Sequence, residues 1–439
     1  MDARTANSFR RDRNENRQKG HSNQTIFNNV STGGCALAVP ASVPGLMLSR
    51  SAGKEQRIRF AIMSDWENMK RVAIHCRYTS HHFAIKKLIH GLVGSLERRR
   101  DNITYIWIVN RNNVSEFAGY KKGRAFVLPF HSDNVIANHL FNLLILPFVL
   151  KWVKADTIVF PQISFFLYTG VRTVLFIHDL IEYQLRNQSW SKHLTRHLFF
   201  PIVARISDVI ATLSESSKSD IVRLLKVPEC KVAVAYVGVD HIRKYADIQH
   251  DAAAEHISSA YGVSGYVLYV GYLSHPQKNL LRLIEAFKML IAQDGMQDKT
   301  LLFVGPKGKD YGLIFDKVKE SGISSHFKYL GTVDEHDLAC LYIAADVFCF
   351  PSLYEGFGMP VAEAMTCGCP VITSKTSSLP EVVGDAGLLV DPSSTEEITA
   401  SLRYLYQNND VAYSMACLGK TRSTRFSWDR FSAVVADLM

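Results

Sequence analysis

Between residues 351 and 374 the chain reads PSLYEGFGMPVAEAMTCGCPVITS, with Glu355 and Glu363 eight apart around Gly356, Gly358 and Pro360. The preceding DVFCFPS reads as a strand, so the two glycines fall in the loop that leaves it, where backbone N–H groups can come close to a ligand. Pro360 suits the first turn of a helix, and the N-terminus of such a helix favours an anion. Glu363 then lies one turn into the helix and Glu355 ahead of the loop, so the two carboxylates bracket one ligand from different ends. That placement suits hydrogen bonding to sugar hydroxyls. Either Glu alone reads first as part of an ordinary capped helix; the arrangement is what points to a ligand.

These residues need elements to hold them. From Arg71 the run RVAIHCRY reads as a buried strand, IKKLIHGLVGSLERR as a helix and ITYIWIVN as a second strand. Further strands are expected at TIVFP from Thr157, TVLFIHD from Thr173 and DVIATLS from Asp208. Such alternation predicts a parallel sheet, in an N-terminal Rossmann-like domain over residues 63–246. Residues 247–260 are charged and read as a linker. The alternation restarts over residues 261–424 with YVLYVG, LLFVG, FKYLG, DVFCFPS, CPVITS and GLLVD, a second doubly wound domain. Residues 425–439 read as a C-terminal helix returning toward the first domain. Two open α/β domains packed face to face turn the C-terminal ends of their strands toward a shared cleft.

Composition bounds the rest. A chain of 439 residues, 47% hydrophobic and 21% charged, fits two ordinary domains and excludes a disordered tail or a disulfide miniprotein. Eight cysteines without paired CxxC spacing exclude a zinc ribbon and a secreted disulfide framework, and favour a reducing, cytoplasmic compartment. Of the net charge of +9, residues 1–62 supply +6, with ten Lys/Arg against four Asp/Glu. The remainder gives no reason for a nucleic-acid partner. Residues 1–62 have no sustained apolar period until Phe60 and read as a disordered basic extension. Their apolar stretch CALAVPASVPGLML comes late and holds two prolines, unlike a signal peptide. The membrane-like run LFNLLILPFVLKWV from Leu140 is 14 residues long and contains Pro147, where a span needs ~20, and is expected to be a buried helix. GPKGKDYG from Gly305 fits neither GxxxxGK[ST] nor GxGxxG. With no DxD triplet and scattered histidines, no metal is expected.

The segment EGFGMPVAE resembles the E-x7-E signature of retaining glycosyltransferases of family 4, which have the GT-B architecture. The resemblance extends over residues 69–431, through VLYVGYLSHPQKNLLRLIEAF, FKYLGTVDEHDLACLYIAADVFCFPSLYEGFG, LPEVVGDAGLLVDPSS and FSWDRF, and in the first half through VLFIHDLIEY, IATLSESSKSDI and VAYVGVD. It implies two doubly wound Rossmann-like domains facing a central cleft. The implied reaction transfers a hexose from a nucleotide-diphosphate sugar to a sugar hydroxyl, with retention and an α-linkage. Carried over by position, Glu355 lies near the donor hexose hydroxyls and Glu363 binds the nucleotide ribose. The backbone of Gly356, Phe357 and Gly358 holds sugar and diphosphate. Lys278, seven residues after Gly271 in the donor loop, neutralises the leaving diphosphate. His178, before Asp179, contacts the transferred sugar or the acceptor. In this family the departing phosphate is understood to take the proton, so no base residue is obligatory.

The FIHDL and YVGVD contexts look most like mannosyltransferases of surface-polysaccharide and lipopolysaccharide assembly. GDP-mannose is therefore the favoured donor, with UDP-glucose, UDP-galactose and UDP-N-acetylglucosamine open. A glycan or lipid-linked oligosaccharide acceptor is implied, which places the enzyme peripherally on the inner membrane face. Lys86, Lys87 and Arg98–Arg100 are offered for that contact or equally as a solvated helix face. The first strand-to-helix loop, CRYTSHHFAIKKL, departs from the family in lacking glycine, and Thr79, Ser80 and His81 are expected to contact the acceptor instead. Tyr272 occupies a slot where some relatives carry a phosphate-binding arginine. Alternative readings are a GT-B sugar-nucleotide epimerase and a non-catalytic subunit of a polysaccharide assembly complex.

Overall fold

Short runs of β-branched and aromatic residues build two parallel sheets, buried on both faces. The computed structural model describes residues 69–78, 83–184 and 190–439; the expected extension over residues 1–62 and the expected contacts Thr79, Ser80 and His81 lie outside the described residues. The first sheet contains β1 (Lys70–His75), β2 (Ile103–Asn110), β3 (Gly123–Leu128), β4 (Thr157–Phe160), β5 (Arg172–Phe176), β6 (Val209–Thr212) and β7 (Val232–Val234), in the order β3-β2-β1-β4-β5-β6-β7. The second contains β8 (Tyr266–Val270), β9 (Thr300–Val304), β10 (Phe327–Gly331), β11 (Val347–Phe350), β12 (Val371–Ser374) and β13 (Leu388–Val390), in the order β10-β9-β8-β11-β12-β13. Both are doubly wound, with order reversing between β1 and β4 and between β8 and β11. The crevice outside the carboxyl ends at such a point is where ligands sit.

Helices cover both faces. In the first half, α1 (Phe83–Arg98) buries Leu88, Leu92 and Leu96, α2 spans Val135–Trp152 with a π-turn at Phe141–Ile145, and α3 (Trp190–Ile206) and α4 (Glu215–Leu225) follow. The run around α2 is a helix as expected, but only one of its faces is buried. Ile136, Leu140, Leu144, Phe148 and Trp152, at four-residue steps, are 51–73% exposed. Hydropathy alone does not say how much of an apolar helix the sheet can cover.

The stretch read as a linker is mostly helix α5 (His250–Tyr261). Ala253 and Ile257, four apart, bury one stripe, and Gly262 at φ +60° ends the helix in the left-handed conformation that favours glycine. The second sheet carries α6 (Leu280–Ile291), α7 (Tyr311–Glu320), α8 (Glu335–Ile343), α9 (Met359–Thr366), α10 (Leu379–Val383), α11 (Thr395–Gln407) and α12 (Asn409–Ser423). Finally α13 (Trp428–Leu438), capped by Ser427, crosses to the first sheet. Trp428 lies on Gly91 of α1, where an added Cβ would come within 2.3 Å of the indole. Phe431 packs 5.7 Å from the Phe176 ring, and Arg172 Nε donates to Leu438 O at 3.1 Å.

Candidate active site at the facing strand ends

The second sheet supplies a charged pair at its switch point. The loop after β8 is stitched to the loop after β11: Gln277 O accepts from Leu353 N at 2.8 Å, and Asn279 Nδ2 donates to Pro351 O at 3.0 Å. Between these anchors Lys278 Nζ stands 2.5 Å from Glu355 Oε1, and Ser352 Oγ donates to the same oxygen at 2.6 Å. The ammonium sits 5.3 Å from the Phe350 ring centroid, and both charged side chains are largely buried. Glu355 is fixed through its backbone as well, its N–H donating to Ser377 Oγ and its carbonyl accepting from Ser378 Oγ, each at 2.9 Å. Gly271 lies beneath, so close to the next loop that a Cβ on Gly305 would come 2.2 Å from Gly271 O.

The first sheet closes on this loop from across the cleft. A Cβ on Gly356 would lie 2.9 Å from both His178 O and Asp179 Oδ2, so glycine is required by the strand end that follows β5. Ser217 Oγ of α4 donates to Gly356 O at 3.2 Å. Gly358, at φ +94°, begins α9 with Pro360 in its first turn, as the sequence suggests. Phe357 turns its ring into the core, 6.1 Å from Tyr236 and 5.2 Å from Phe426, leaving only its backbone for a ligand. His178 Nε2–H donates to Pro161 O at 2.6 Å, which fixes the ring and leaves Nδ1 unprotonated on the neutral imidazole. Burial lowers its pKa, against the opposing pull of the Pro161 carbonyl and Asp179. Burial likewise raises the Asp179 carboxyl, while Ile181 N–H, His178 and Lys278 lower it and Glu355 adds to the rise.

Glu363 is buried one turn into α9 with both oxygens engaged. Oε1 accepts from Lys87 Nζ at 3.1 Å and His241 Nε2 at 2.7 Å, and Oε2 from Tyr342 OH at 3.1 Å. Burial pushes its pKa up, but Lys87 and His241 outweigh that and hold the carboxyl well below the usual carboxylate range. Of the basic residues offered for a membrane contact, Lys87 is thus turned onto a buried carboxylate, and others make ion pairs at the surface. Besides Lys87, Lys86 pairs with Glu116 at 2.7 Å, Arg98 with Asp429 at 2.7 Å and Arg99 with Asp101 at 3.1 Å. Two more contacts cross the cleft: Tyr354 OH donates to Asp220 Oδ2 at 2.7 Å, and Glu381 accepts from Glu215 N and Ser216 N at 2.8 and 3.0 Å. Sequence reasoning missed His241, Ser217, Asp220 and Glu381, and gave Lys87 another use. Their partners are more than a hundred residues away.

Among the described residues, ligand atoms of His256, His336 and Cys340 lie within 4.8 Å of one another, as do those of Asp334, His336 and Asp337. These histidines are not scattered: His336 and Cys340 share a face of α8, and His256 comes from α5. His256 Nε2 is 2.7 Å from Asp337 Oδ1, and Tyr261 OH bonds the other Asp337 oxygen, so the group knits α5 to α8.

Residues 255–421 match the model of glycosyl transferases group 1, and residues 85–243 that of Glycosyltransferase Family 4. The chain belongs to these glycosyltransferases. O-antigen chain mannosyltransferase B of Escherichia coli is 34% identical over 225 residues, 50% of this glycosyltransferase and 57% of the relative. Serotype-specific mannosyltransferase WbdA of Escherichia coli is 28% identical over 276 residues, 61% of this chain and 33% of the relative. MMP alpha-(1->4)-mannosyltransferase of Mycolicibacterium hassiacum is 29% identical over 253 residues, 56% and 58%. The matched regions thus span between a third and three-fifths of these relatives. A Rickettsia africae glycosyltransferase structure superposes with a TM-score of 0.65 at 15% identity, covering 84% of this chain and 98% of that one. Anabaena HepE in complex with UDP and glucose gives 0.63 at 20% identity, covering 84% and 99%. This glycosyltransferase therefore has the GT-B fold.

Proposed function

We propose that the chain transfers a hexose, mannose favoured, from a nucleotide-diphosphate sugar, GDP-mannose favoured, to a hydroxyl of a glycan or lipid-linked oligosaccharide. The product is an α-linkage formed with retention, and no metal takes part in transfer. The observation that carries this reading is the Lys278–Glu355 pair at the switch point of the second sheet, next to Gly356 and the His178–Asp179 strand end. A donor laid here puts its diphosphate on Lys278 and on the N–H groups of Gly356, Phe357 and Gly358, at the start of α9. Its hexose meets Glu355. Its ribose meets Glu363 once a hydroxyl displaces Lys87 or His241.

As the bond between sugar C1 and phosphate oxygen breaks, the electron pair leaves with the phosphate and Lys278 neutralises the growing charge. The acceptor oxygen bonds to C1 on the face the phosphate leaves, and its proton passes to the departing phosphate. His178, its ring held by Pro161, contacts the sugar or the acceptor. The three relatives named mannosyltransferases support mannose, and the O-antigen name supports polysaccharide assembly; the proposed place of action is the cytoplasmic face of a membrane.

The test is a melting-temperature panel of GDP, UDP, ADP and dTDP with their sugar conjugates, with and without EDTA, run on the wild type and on Glu355→Ala. A ligand at about a hundred times its Kd stabilises by about 2.7 kcal/mol, a shift of a few degrees. GDP-mannose is expected to give that shift with EDTA present, and Glu355→Ala to abolish transfer while remaining folded. A response to UDP compounds alone would replace the donor, and near-normal turnover by Glu355→Ala would remove that residue from the mechanism.

A further inference from the structure

We infer that the outward face of α2 is a docking surface that lies flat on an anionic phospholipid bilayer. From Asn134 to Leu150 the chain has no Asp, Glu, Lys or Arg. By length and composition Val135–Trp152 could cross a membrane, yet the fold uses it otherwise. Phe141, Leu146, Val149 and Leu150 are buried in the core over the first sheet, so the helix cannot span a bilayer without abandoning that core. Its other side presents Ile136, Leu140, Leu144, Phe148 and Trp152 to solvent as one stripe. At 1.5 Å per residue the stripe runs about 25 Å. An exposed apolar surface of this extent marks an interaction site.

Neighbouring segments widen it. Phe165, in the loop after β4, meets His139 edge-on at 5.9 Å, and the same loop exposes Leu167 and Tyr168 by 59% and 72%. From α3, Phe199 packs 4.4 Å from Phe165, and its neighbour Leu198 is also exposed.

The border of the stripe selects the occupant. Lys151 and Lys154 stand at the C-terminal end of α2, and neither makes an ion pair among the described residues. Arg124 lies two residues before Phe126 on β3, whose ring is 6.3 Å from Trp152. Residues 120–172 hold six Lys/Arg against two Asp and no Glu, and Asp156 is already bonded to Arg71 N at 2.8 Å. A bare apolar strip edged by cations, Trp152 and Tyr168 matches a membrane interface on each count. The aliphatic side chains reach the acyl boundary, the amphipathic rings sit at the headgroups, and the lysines meet lipid phosphates. A protein partner would need both an apolar face and an acidic border; an anionic bilayer supplies the two together.

The stripe also ends in a useful place. Ser132, just ahead of α2, accepts a hydrogen bond from Arg77 Nε at 3.1 Å, and Arg77 follows β1 at the switch point of the first sheet. A membrane-borne acceptor would therefore meet the protein beside its acceptor half. That last link rests on the lipid-linked acceptor proposed above; the docking does not.

The test is flotation of the full chain with vesicles of phosphatidylcholine alone and of equimolar phosphatidylcholine and phosphatidylglycerol. Binding is expected to the mixed vesicles and to weaken with salt. The double variant Leu144→Asp with Phe148→Asp should lower vesicle affinity on the order of 100-fold, and Lys151→Glu with Lys154→Glu should remove the preference for phosphatidylglycerol. Because all four side chains are exposed, melting temperatures should stay at the wild-type value. Vesicle binding unchanged in the apolar double variant overturns the inference. So does a wild type that ignores vesicles, and if it then self-associates through this face in sedimentation, a second copy is the occupant. A donor-induced melting shift that persists while vesicle binding fails would sink the docking surface and leave the transferase reading standing.

Discussion

Lys87 and Glu363 are 276 residues apart in sequence and 3.1 Å apart in space, one on each side of the cleft. A carboxyl whose folded pKa is depressed adds stability that is complete above its unfolded value, about 4.3, and is lost as pH falls through its folded value. Lys87→Met removes one of the two groups that hold Glu363 down, so that loss should begin at higher pH and the acid-unfolding midpoint should rise. At neutral pH the change should cost about 1–3 kcal/mol, less than for a fully buried pair because Lys87 is about a third exposed. Circular dichroism against pH checks this, and an unmoved midpoint would mean that Lys87 does not set the titration of Glu363. The strand, glycine loop and helix around Glu355 were legible because Gly358 and Pro360 mark a helix start by their own chemistry. The salt bridge from Glu355 to Lys278 was not, because it depends on two loops 77 residues apart meeting.

At the scale of elements, apolar runs located most strands because most of those strands are buried on both faces. Two escaped, β3 and β7, the two edge strands of the first sheet, of which β3 is half-exposed. The segment of α5 read as a linker because it buries only two side chains, one of them an alanine, and only α8 beside it reveals the stripe. The contact of α1 with α13 is open to direct test. Gly91→Ala places a methyl against the Trp428 ring, and overpacking of this kind costs about 1–3 kcal/mol. Urea unfolding should show the loss as a lower midpoint with unchanged slope. Wild-type stability would show that the indole can move aside.

For the whole molecule, alternation of strands and helices foretold two doubly wound sheets and, given face-to-face packing, strand ends at a shared cleft, but not the contacts that produce that packing. What holds them face to face is a set of single contacts, Tyr354 to Asp220, Glu381 to the start of α4, and Gly356 against His178 and Asp179. No local pattern encodes such pairs. Gly356→Ala should hold the halves slightly apart, leaving each sheet intact, and displacement of that size typically lowers rate on the order of 10²-fold. Turnover measured with saturating donor would decide it, and full activity would show that closure at this glycine is dispensable.

The return of α13 to α1 also orders events during synthesis. Arg98 and Asp429 are 331 residues apart, so at ordinary elongation rates the ribosome delivers α13 roughly twenty seconds to a minute after α1. Throughout that interval the groove at Gly91 stays empty and the apolar side of the first sheet around Phe176 lacks Phe431. The nascent first half therefore offers chaperones a hydrophobic cleft that closes only when the second half has been translated.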